Sequence, residues 1–554
     1  MRRARQIIFL FVMMALTNMF LSIPVYGYDK SKIPEYIRIG LKYGESATPL
    51  VSVYSKNGLE LGYFAGNEFR SIFSFLGNDE IIVRKDSYFM AFNGSFLEYQ
   101  YDEQRDMYNT NLQGPIHIQI GSTFQTREEA QNFLNTLPRL HTTPYLSYEN
   151  GWKVWTGLFT SMANAQGAAE NIRLSLPEME ISFVPQHDKR IQILSKSGEV
   201  LCMLNLGEME YHFRPIPQKD GGNLIRLDGK NFRGSIIIRR YSGSDFTVIN
   251  RLPLEEYLYG VVPKEMSGTW PLEAQKAQAV AARNYTVQKL GAHSQYGFDL
   301  CATTHCQVYG GYDGEHERSR KAVDETKGKI LTYKGNIVTA FYHSNSGGHT
   351  ENSENVWTSP IDYLKGVNDP YSVGSPNDTW SYTLTKEQIQ DILNSKQLSV
   401  GEVNGIKATE YSPFGRVLKL EIQGTQDKKI LEKEKIRSIF GYNNIKSTWF
   451  TIRTDAAATV ISGSTFTPQQ INVENIYVIT TEGIKQMDNG QPNIFVYNGS
   501  ELKNVSFRAT KYVFDGKGWG HGLGMSQWGA KKMAEDGYTY DQILTYYYSG
   551  TKIE

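Results

Sequence analysis

Short alternations of apolar and polar residues open the chain. Ile37-Arg38-Ile39-Gly40-Leu41 and Val51-Ser52-Val53-Tyr54 put every second side chain on one face, the period of a half-buried strand. Asn57-Gly58 then reads as a hairpin turn, and residues 28–113 as a β-rich region. Between 114 and 187 the period changes from strand to helix twice. Ile116 to Ile120, Gly121 and Phe124 precede a helical stretch from Thr126 to Leu137. Trp152 to Trp155, Gly157 and Phe159 precede a second, from Ser161 to Leu174. A strand and a helix, repeated, is an internal repeat, and by itself a βαβ pattern. Residues 188–250 return to strands at Ile191 to Leu194, Val200 to Leu206, Gly234 to Tyr241 and Phe246 to Ile249, with turn signals at Asp220-Gly221-Gly222 and Asp228-Gly229.

Helical spacing begins at Leu252-Pro253-Leu254-Glu255-Glu256-Tyr257-Leu258, and 251–554 reads as one mixed domain. Pro271 suits the first turn of a helix that continues through the Ala-rich run Leu272 to Tyr285. There Ala274, Ala277, Ala281 and Ala282 make faces small enough for close packing. A strand from Ile337 to Tyr342 leads into a polar loop, His343 to Glu351. Ser526 suits the cap of a helix running to Asp536, with Gly537 at its C-terminal end. Tyr538 to Tyr548 holds a further short helix whose aromatic stripe suits a core. Strand-like runs at Ile476 to Thr480 and Ile494 to Tyr497, with Asn489-Gly490, mark 455–510 as an insertion. The fold class is α+β, multidomain.

Composition and charge add the compartment. Arg2, Arg3 and Arg5 precede an apolar run from Ile7 to Leu16, extended by Met19 to Ser22 and ending in Val25-Tyr26-Gly27. Residues 1–27 therefore read as a secretory signal peptide. The uncharged stretch from Gln6 to Gly27 also approaches the about 20 residues of a bilayer span, so a membrane anchor is the second reading. Either way the rest of the chain is extracytoplasmic. The 58 basic residues equal the 58 acidic ones, and loss of the leader's three Arg leaves 55 against 58. That balance gives no reason to expect nucleic acid or ionic adhesion to anionic wall polymers. The 35 Tyr and 8 Trp offer rings that stack on sugars, and equally suit ordinary secreted β-proteins. With three cysteines the core, not crosslinks, holds the fold, and Cys202 reads as a buried apolar residue in a strand.

Candidate chemistry lies in three motifs and one cysteine pair. In Val262-Pro263-Lys264-Glu265-Met266 a carboxylate stands before a helix. The helix N-terminus would favour its charge, whereas burial against Val261, Val262, Met266 and Trp270 would oppose it; only the second outcome makes Glu265 a general acid. In Tyr342-His343-Ser344-Asn345-Ser346-Gly347-Gly348, the side chains of Tyr342, His343, Ser344 and Ser346 can hydrogen-bond sugar hydroxyls and acetamido groups from a loop fixed by a strand. A metal on His343, His349 and Glu351 matches no closed-site spacing. In Gly518-Trp519-Gly520-His521-Gly522-Leu523-Gly524-Met525-Ser526-Gln527, no Lys-Ser or Lys-Thr pair completes a phosphate loop. Its glycines allow close backbone approach around His521. His521, Ser526 and Gln527 are candidate substrate contacts; Ser526 as a nucleophile lacks the elbow pattern. Cys301 and Cys306 with His305 admit a zinc, completed by His293 or His343, or a local disulfide. A Cys-His hydrolase has no orienting partner there.

Together these three motifs resemble the SpoIID/LytB family of bacterial sporulation and cell-wall proteins, over most of 190–554 and most strongly at 252–290, 337–357 and 514–550. The Ile37 to Leu41 opening is similar to the start of mature members, whereas the 455–510 insertion departs from them. The repeat in 114–187 resembles the SPOR fold, whose members bind glycan strands stripped of stem peptides. The resemblance implies a peptidoglycan lytic transglycosylase with Glu265 as its acid. That acid protonates the glycosidic oxygen, then takes the proton of the sugar's C6 hydroxyl as a 1,6-anhydro end closes. One carboxylate serves for this, where an ordinary glycosidase uses two; Glu256, Glu273 and Glu351 are the candidates for a second. The same resemblance implies, as the alternative, a non-catalytic amidase enhancer whose partner is a cell-wall amidase, or a wall-glycan-binding protein. It requires no cofactor, and allows a structural zinc near Cys301, His305 and Cys306. Peptide-stripped glycan strands are the expected partner.

Overall fold

A computed structural model describes residues 30–554, save for 78, 93–94, 107–108, 208, 219–221, 242–243, 462–467, 473–476, 482, 487–492, 498–500 and 507–508. The leader and the turn signals at Asp220-Gly221 and Asn489-Gly490 lie outside the described residues. Among the described residues no helix is long and apolar enough to cross a membrane. The chain divides into two units, one of Ile33–Gly268 with Lys289–Asp324, the other of Thr269–Gln288 with Glu325–Glu554. The architecture is mixed α+β and multidomain.

The first unit holds a seven-stranded and a ten-stranded sheet. In the seven-stranded sheet, Tyr36–Lys42 pairs antiparallel with Phe246–Pro253 and parallel with the short strand Leu300–Cys301. Ile37, Ile39, Val248 and Ile249 are all buried, which is why alternation was visible in the sequence. One pairing differs from expectation. Leu50–Tyr54 and Leu59–Ala65 flank Asn57-Gly58 yet enter different sheets, the first beside Ile81–Lys85 and the second beside Glu68–Phe75. Alternation reports a half-buried strand but not its neighbour. By contrast Asp228-Gly229, both at positive φ, does close a hairpin, with Leu227 opposite Lys230.

Residues 116–184 run strand Ile116–Ile120, helix α1 (Arg127–Thr136), strands Pro144–Tyr148 and Trp152–Phe159, helix α2 (Met162–Ser175) and strand Ile181–Val184. This is a βαββαβ unit; the sequence pattern caught the first strand and helix of each half and missed Pro144–Tyr148 and Ile181–Val184. Thr126 and Ser161 cap the two helices, Thr126 in a capping box with Glu129. Pro144–Tyr148 continues the sheet into Val200–Asn205 by parallel pairing, and Cys202 lies buried in that strand as expected. Helix α3 (Leu254–Glu265) follows directly from Phe246–Pro253.

In the second unit, helix α4 (Leu272–Gln288) begins one residue after Pro271 and buries Ala274, Ala277, Ala281 and Ala282 completely. Asn284 pins it to a strand segment, donating to the Leu331 and Val338 carbonyls at 2.7 and 2.9 Å and accepting from Leu331 N at 2.8 Å. The expected strand over Ile337 to Tyr342 is not continuous. Asn336–Ile337 pairs with Leu331–Tyr333, whereas Tyr342–His343 pairs in parallel with Met525–Ser526. Val338 and Ala340 are buried between the two ladders, so the apolar run marks a core crossing rather than one strand. Helix α5 (Gln527–Glu535) and helix α6 (Tyr540–Tyr547) complete this part, and Tyr547 and Tyr548 are core residues. Strand Lys511–Lys517 lies between Thr379–Thr385 and Phe450–Thr454, over an apolar cluster that includes Leu393, Leu420, Phe440 and Phe514. Within the 455–510 insertion the described strands form three two-stranded hairpins.

Candidate functional site

Glu265 is the last residue of α3 and is half-buried. It therefore sits at the negative end of that helix's dipole, an environment that disfavours a carboxylate's charge. The sequence reading had weighed the opposite pole, the N-terminus of the following helix. Val261, Val262 and Met266 around it are buried, as expected. The three candidate partners have other roles. Glu351 is fully buried, with Oε1 accepting from Asn352 N and Asn355 Nδ2, both at 2.8 Å, and Oε2 from Ser412 Oγ at 2.5 Å. Glu273 accepts from Tyr540 N at 2.8 Å and pairs with Lys276 at 2.7 Å. Glu256 lies in the first turn of α3, nine residues from Glu265, which at 1.5 Å per residue is about 13 Å along the axis.

The second and third motifs meet in the second unit. Tyr342–His343 and Met525–Ser526 share a ladder, and Asn345 exchanges backbone bonds with Trp519 at 3.0 and 2.8 Å. Gly520, at φ 123°, lets this happen: a Cβ there would stand 2.6 Å from that of His343. Leu523 clips both imidazoles, its carbonyl accepting from His343 Nδ1 at 3.1 Å and its N–H donating to His521 Nδ1 at 3.0 Å. Burial, the neighbouring His521 and Arg416 push His343 well below the usual imidazole range. Burial, Arg437 and Arg416 hold His521 down to about 3, against a hydrogen bond that the ring donates to the Tyr342 backbone. Both rings are therefore neutral, and the bonds fix their tautomers: His343 carries its proton on Nδ1, His521 on Nε2. His343 Nε2 is then a buried acceptor with no protein partner.

Beside them a hydroxyl–carboxylate knot closes the loop. Ser346 Oγ donates to Asp369 Oδ2 at 2.6 Å and Tyr547 Oη to Asp369 Oδ1 at 2.8 Å. Ser526 caps α5 through Gly529 N at 3.3 Å, accepts from Ser346 N at 3.3 Å and also bonds Asp369. Burial nevertheless raises the Asp369 carboxyl above its usual range. Ser346 and Ser526 are thus fully buried and fully bonded, as is the cap role foreseen for Ser526. Gln527 donates to Gln278 on α4 at 3.3 Å. Ser344 differs: its carbonyl accepts from Trp528 N at 3.1 Å, while its half-exposed hydroxyl makes no hydrogen bond among the described residues. Tyr342 is half-buried, its ring 6.5 Å from that of Tyr285. His349 stacks on Phe414 at 4.1 Å and joins no ligand group among the described residues. Asp369 escaped the sequence reading because Asn368-Asp369-Pro370 carries only a turn signal.

In the first unit, Cys301, His305 and Cys306 gather with His293, all four donor atoms within 4.8 Å of one another. Cys306 Sγ lies 3.4 Å from His293 Nε2 and 3.5 Å from His305 Nδ1, and Cys301 Sγ lies 3.7 Å from His305 Nδ1. A tetrahedral zinc with bonds of about 2.0–2.3 Å spaces its ligands by about 3.3–3.8 Å, so the donor set fits. Both sulfurs are unbonded thiols. Burial alone would raise Cys301, but hydrogen bonds from Thr303, Cys306 and His305 outweigh it and bring the thiol down to about 6. Of the two histidines that could join these residues, His293 lies in the cluster.

The βαββαβ unit's sheet is covered on both faces. Ile118 and Ile120 pack under Ala165, Ala169 and Ile172 of α2. On the other face His117, Tyr145 and Trp155 are buried, with His117 Nε2 3.1 Å and Arg190 Nη1 2.8 Å from Asp86.

The helix-ending Glu and the Cys-His cluster lie in one unit of this α+β chain, the His-Ser loop and the Gly-rich His loop in the other. The family model for stage II sporulation protein matches residues 242–333, and one for a domain of unknown function matches 351–467. The chain is 34% identical over 335 residues to the amidase enhancer of Bacillus subtilis, covering 60% of this chain and 45% of that protein. It is 32% identical over 323 residues to stage II sporulation protein D of the same organism, covering 55% and 75%, and 31% identical over 331 residues to that of Bacillus amyloliquefaciens, covering 56% and 77%. The chain belongs to the stage II sporulation protein D family. Its match spans less than half the length of the amidase enhancer.

Proposed function

We propose that this is an exported, cell-wall-directed protein that cleaves peptidoglycan glycan strands as a lytic transglycosylase, with Glu265 as the single acid and base. The observation that carries this reading is the setting of Glu265 within the matched region 242–333. It is half-buried at a helix's negative end, between the buried Val261, Val262 and Met266. Two-carboxylate glycosidases hold their groups about 5–9.5 Å apart; Glu256, on the same helix, is about 13 Å from Glu265 along the axis. In its neutral form the acid can protonate the glycosidic oxygen. As a carboxylate it then accepts the C6 hydroxyl proton while that oxygen attacks the anomeric carbon, so no water is consumed. His293, Cys301, His305 and Cys306 would hold a structural zinc, which ties the strand Leu300–Cys301 and its loop together. The name of the amidase enhancer relative supports the second reading, an accessory to a cell-wall amidase.

Peptide-free glycan strands incubated with the full chain, with products weighed by mass spectrometry, decide between them. The expected result is 1,6-anhydro ends that fall at least 100-fold in rate in Glu265→Gln. Intact strands, together with faster cleavage by an added amidase, would establish the accessory role instead.

A further inference from the structure

Trp270 and Trp528 form an aromatic corner in the second unit that the reaction above does not use. Trp270 stands just before α4 and Trp528 is the second residue of α5. Their ring centroids are 4.6 Å apart with planes at 55°, and both indoles are half-exposed. A pair that served only the core would be buried, as Trp155 is. Lys531 Nζ lies 5.7 and 5.2 Å from the two rings and is paired with Glu535 at 2.9 Å. The Trp528 backbone N–H donates to the Ser344 carbonyl at 3.1 Å, which makes Ser344, whose hydroxyl has no hydrogen bond among the described residues, a neighbour of Trp528. Apolar ring faces with hydrogen-bonding groups at the rim match a sugar, whose C–H face and hydroxyl edge present the complementary pattern.

We propose that Trp270, Trp528 and the Ser344 hydroxyl form a subsite for one pyranose ring of a glycan strand, with Lys531 donating at its edge. This rests on the glycan reading of the preceding section. The site binds sugar by stacking and takes no part in bond breaking.

The test uses the full chain labelled with 5-fluorotryptophan and titrated with a soluble β-1,4-linked N-acetylglucosamine hexamer. Resonances of Trp270 and Trp528, assigned with Trp270→Phe and Trp528→Phe, should shift on saturation, and Trp528→Ala should raise Kd at least tenfold. The wild-type spectrum answers the question even where the Ala variant does not fold. Hexamer that fails to bind, or binds without moving these two resonances, overturns the proposal. A chain that binds through both rings yet leaves glycan intact keeps the subsite and removes the transglycosylase. A chain that cleaves glycan without moving them does the reverse.

Discussion

Two pairs of histidines in this protein do opposite things with the same side chain. His343 and His521 are each tied to the backbone of Leu523, and their rings lie 5.6 Å apart without sharing a bond. His293 and His305 instead turn their nitrogens toward two sulfurs. The first arrangement spends its polar groups on holding two loops together; the second brings four donors within 4.8 Å of one another, a spacing that suits a metal. The Gly-rich motif, the louder signal in sequence, is chiefly a scaffold for those loops. A short Cys-His stretch carries the ligand geometry.

The largest test of that contrast removes a sulfur. Cys301→Ser should abolish zinc content, read by elemental analysis, and lower stability by on the order of 4 kcal/mol in urea; an unchanged midpoint would break the comparison. On the scaffold side, Asp369→Asn replaces an acceptor of several hydroxyl bonds and should cost about 2–3 kcal/mol, seen as a lower Tm. Metal content should not change.

His521 and Asp369 make opposite demands on pH. His521 is held near 3 in the fold against about 6.5 when unfolded. A depressed folded pKa means that the proton binds on unfolding, so stability present above about pH 6.5 is lost as pH falls toward 3. At pH 5 the loss from His521 alone is about 2 kcal/mol. Asp369, raised by burial, works the other way and is relieved by acid. His521→Gln should show a smaller drop in urea midpoint between pH 7.5 and 5 than the wild type; equal drops would mean that the ring is not kept neutral by its surroundings. The smallest effect is expected from Ser526→Ala, about 1 kcal/mol for a lost helix cap. It sharpens the contrast if metal binding is untouched.

Much of this was legible beforehand for local reasons. Ser526 announced a helix start because a cap needs a side-chain oxygen at one position. Asp228-Gly229 announced a turn because both residues tolerate positive φ, and the structure makes it a hairpin. Asn57-Gly58 failed because a turn does not choose which sheet receives the next strand. The run Ile337 to Tyr342 failed because burial looks the same whether a segment is paired along its length or crosses a core. Asp369 gave no warning, since its role depends on Ser346, Ser526 and Tyr547, each far away in the chain.

Periodicity, caps, turns and motif identity thus determined the α+β class, most helices and the residues on which the chemistry would concentrate, because each depends on neighbours within a few positions. Tertiary structure alone decided that Glu265 ends a helix, that His293 joins the cysteines, and that Ser346 and Ser526 are bonded inward. Those outcomes depend on distance and direction between residues remote in sequence, which spacing along the chain does not encode.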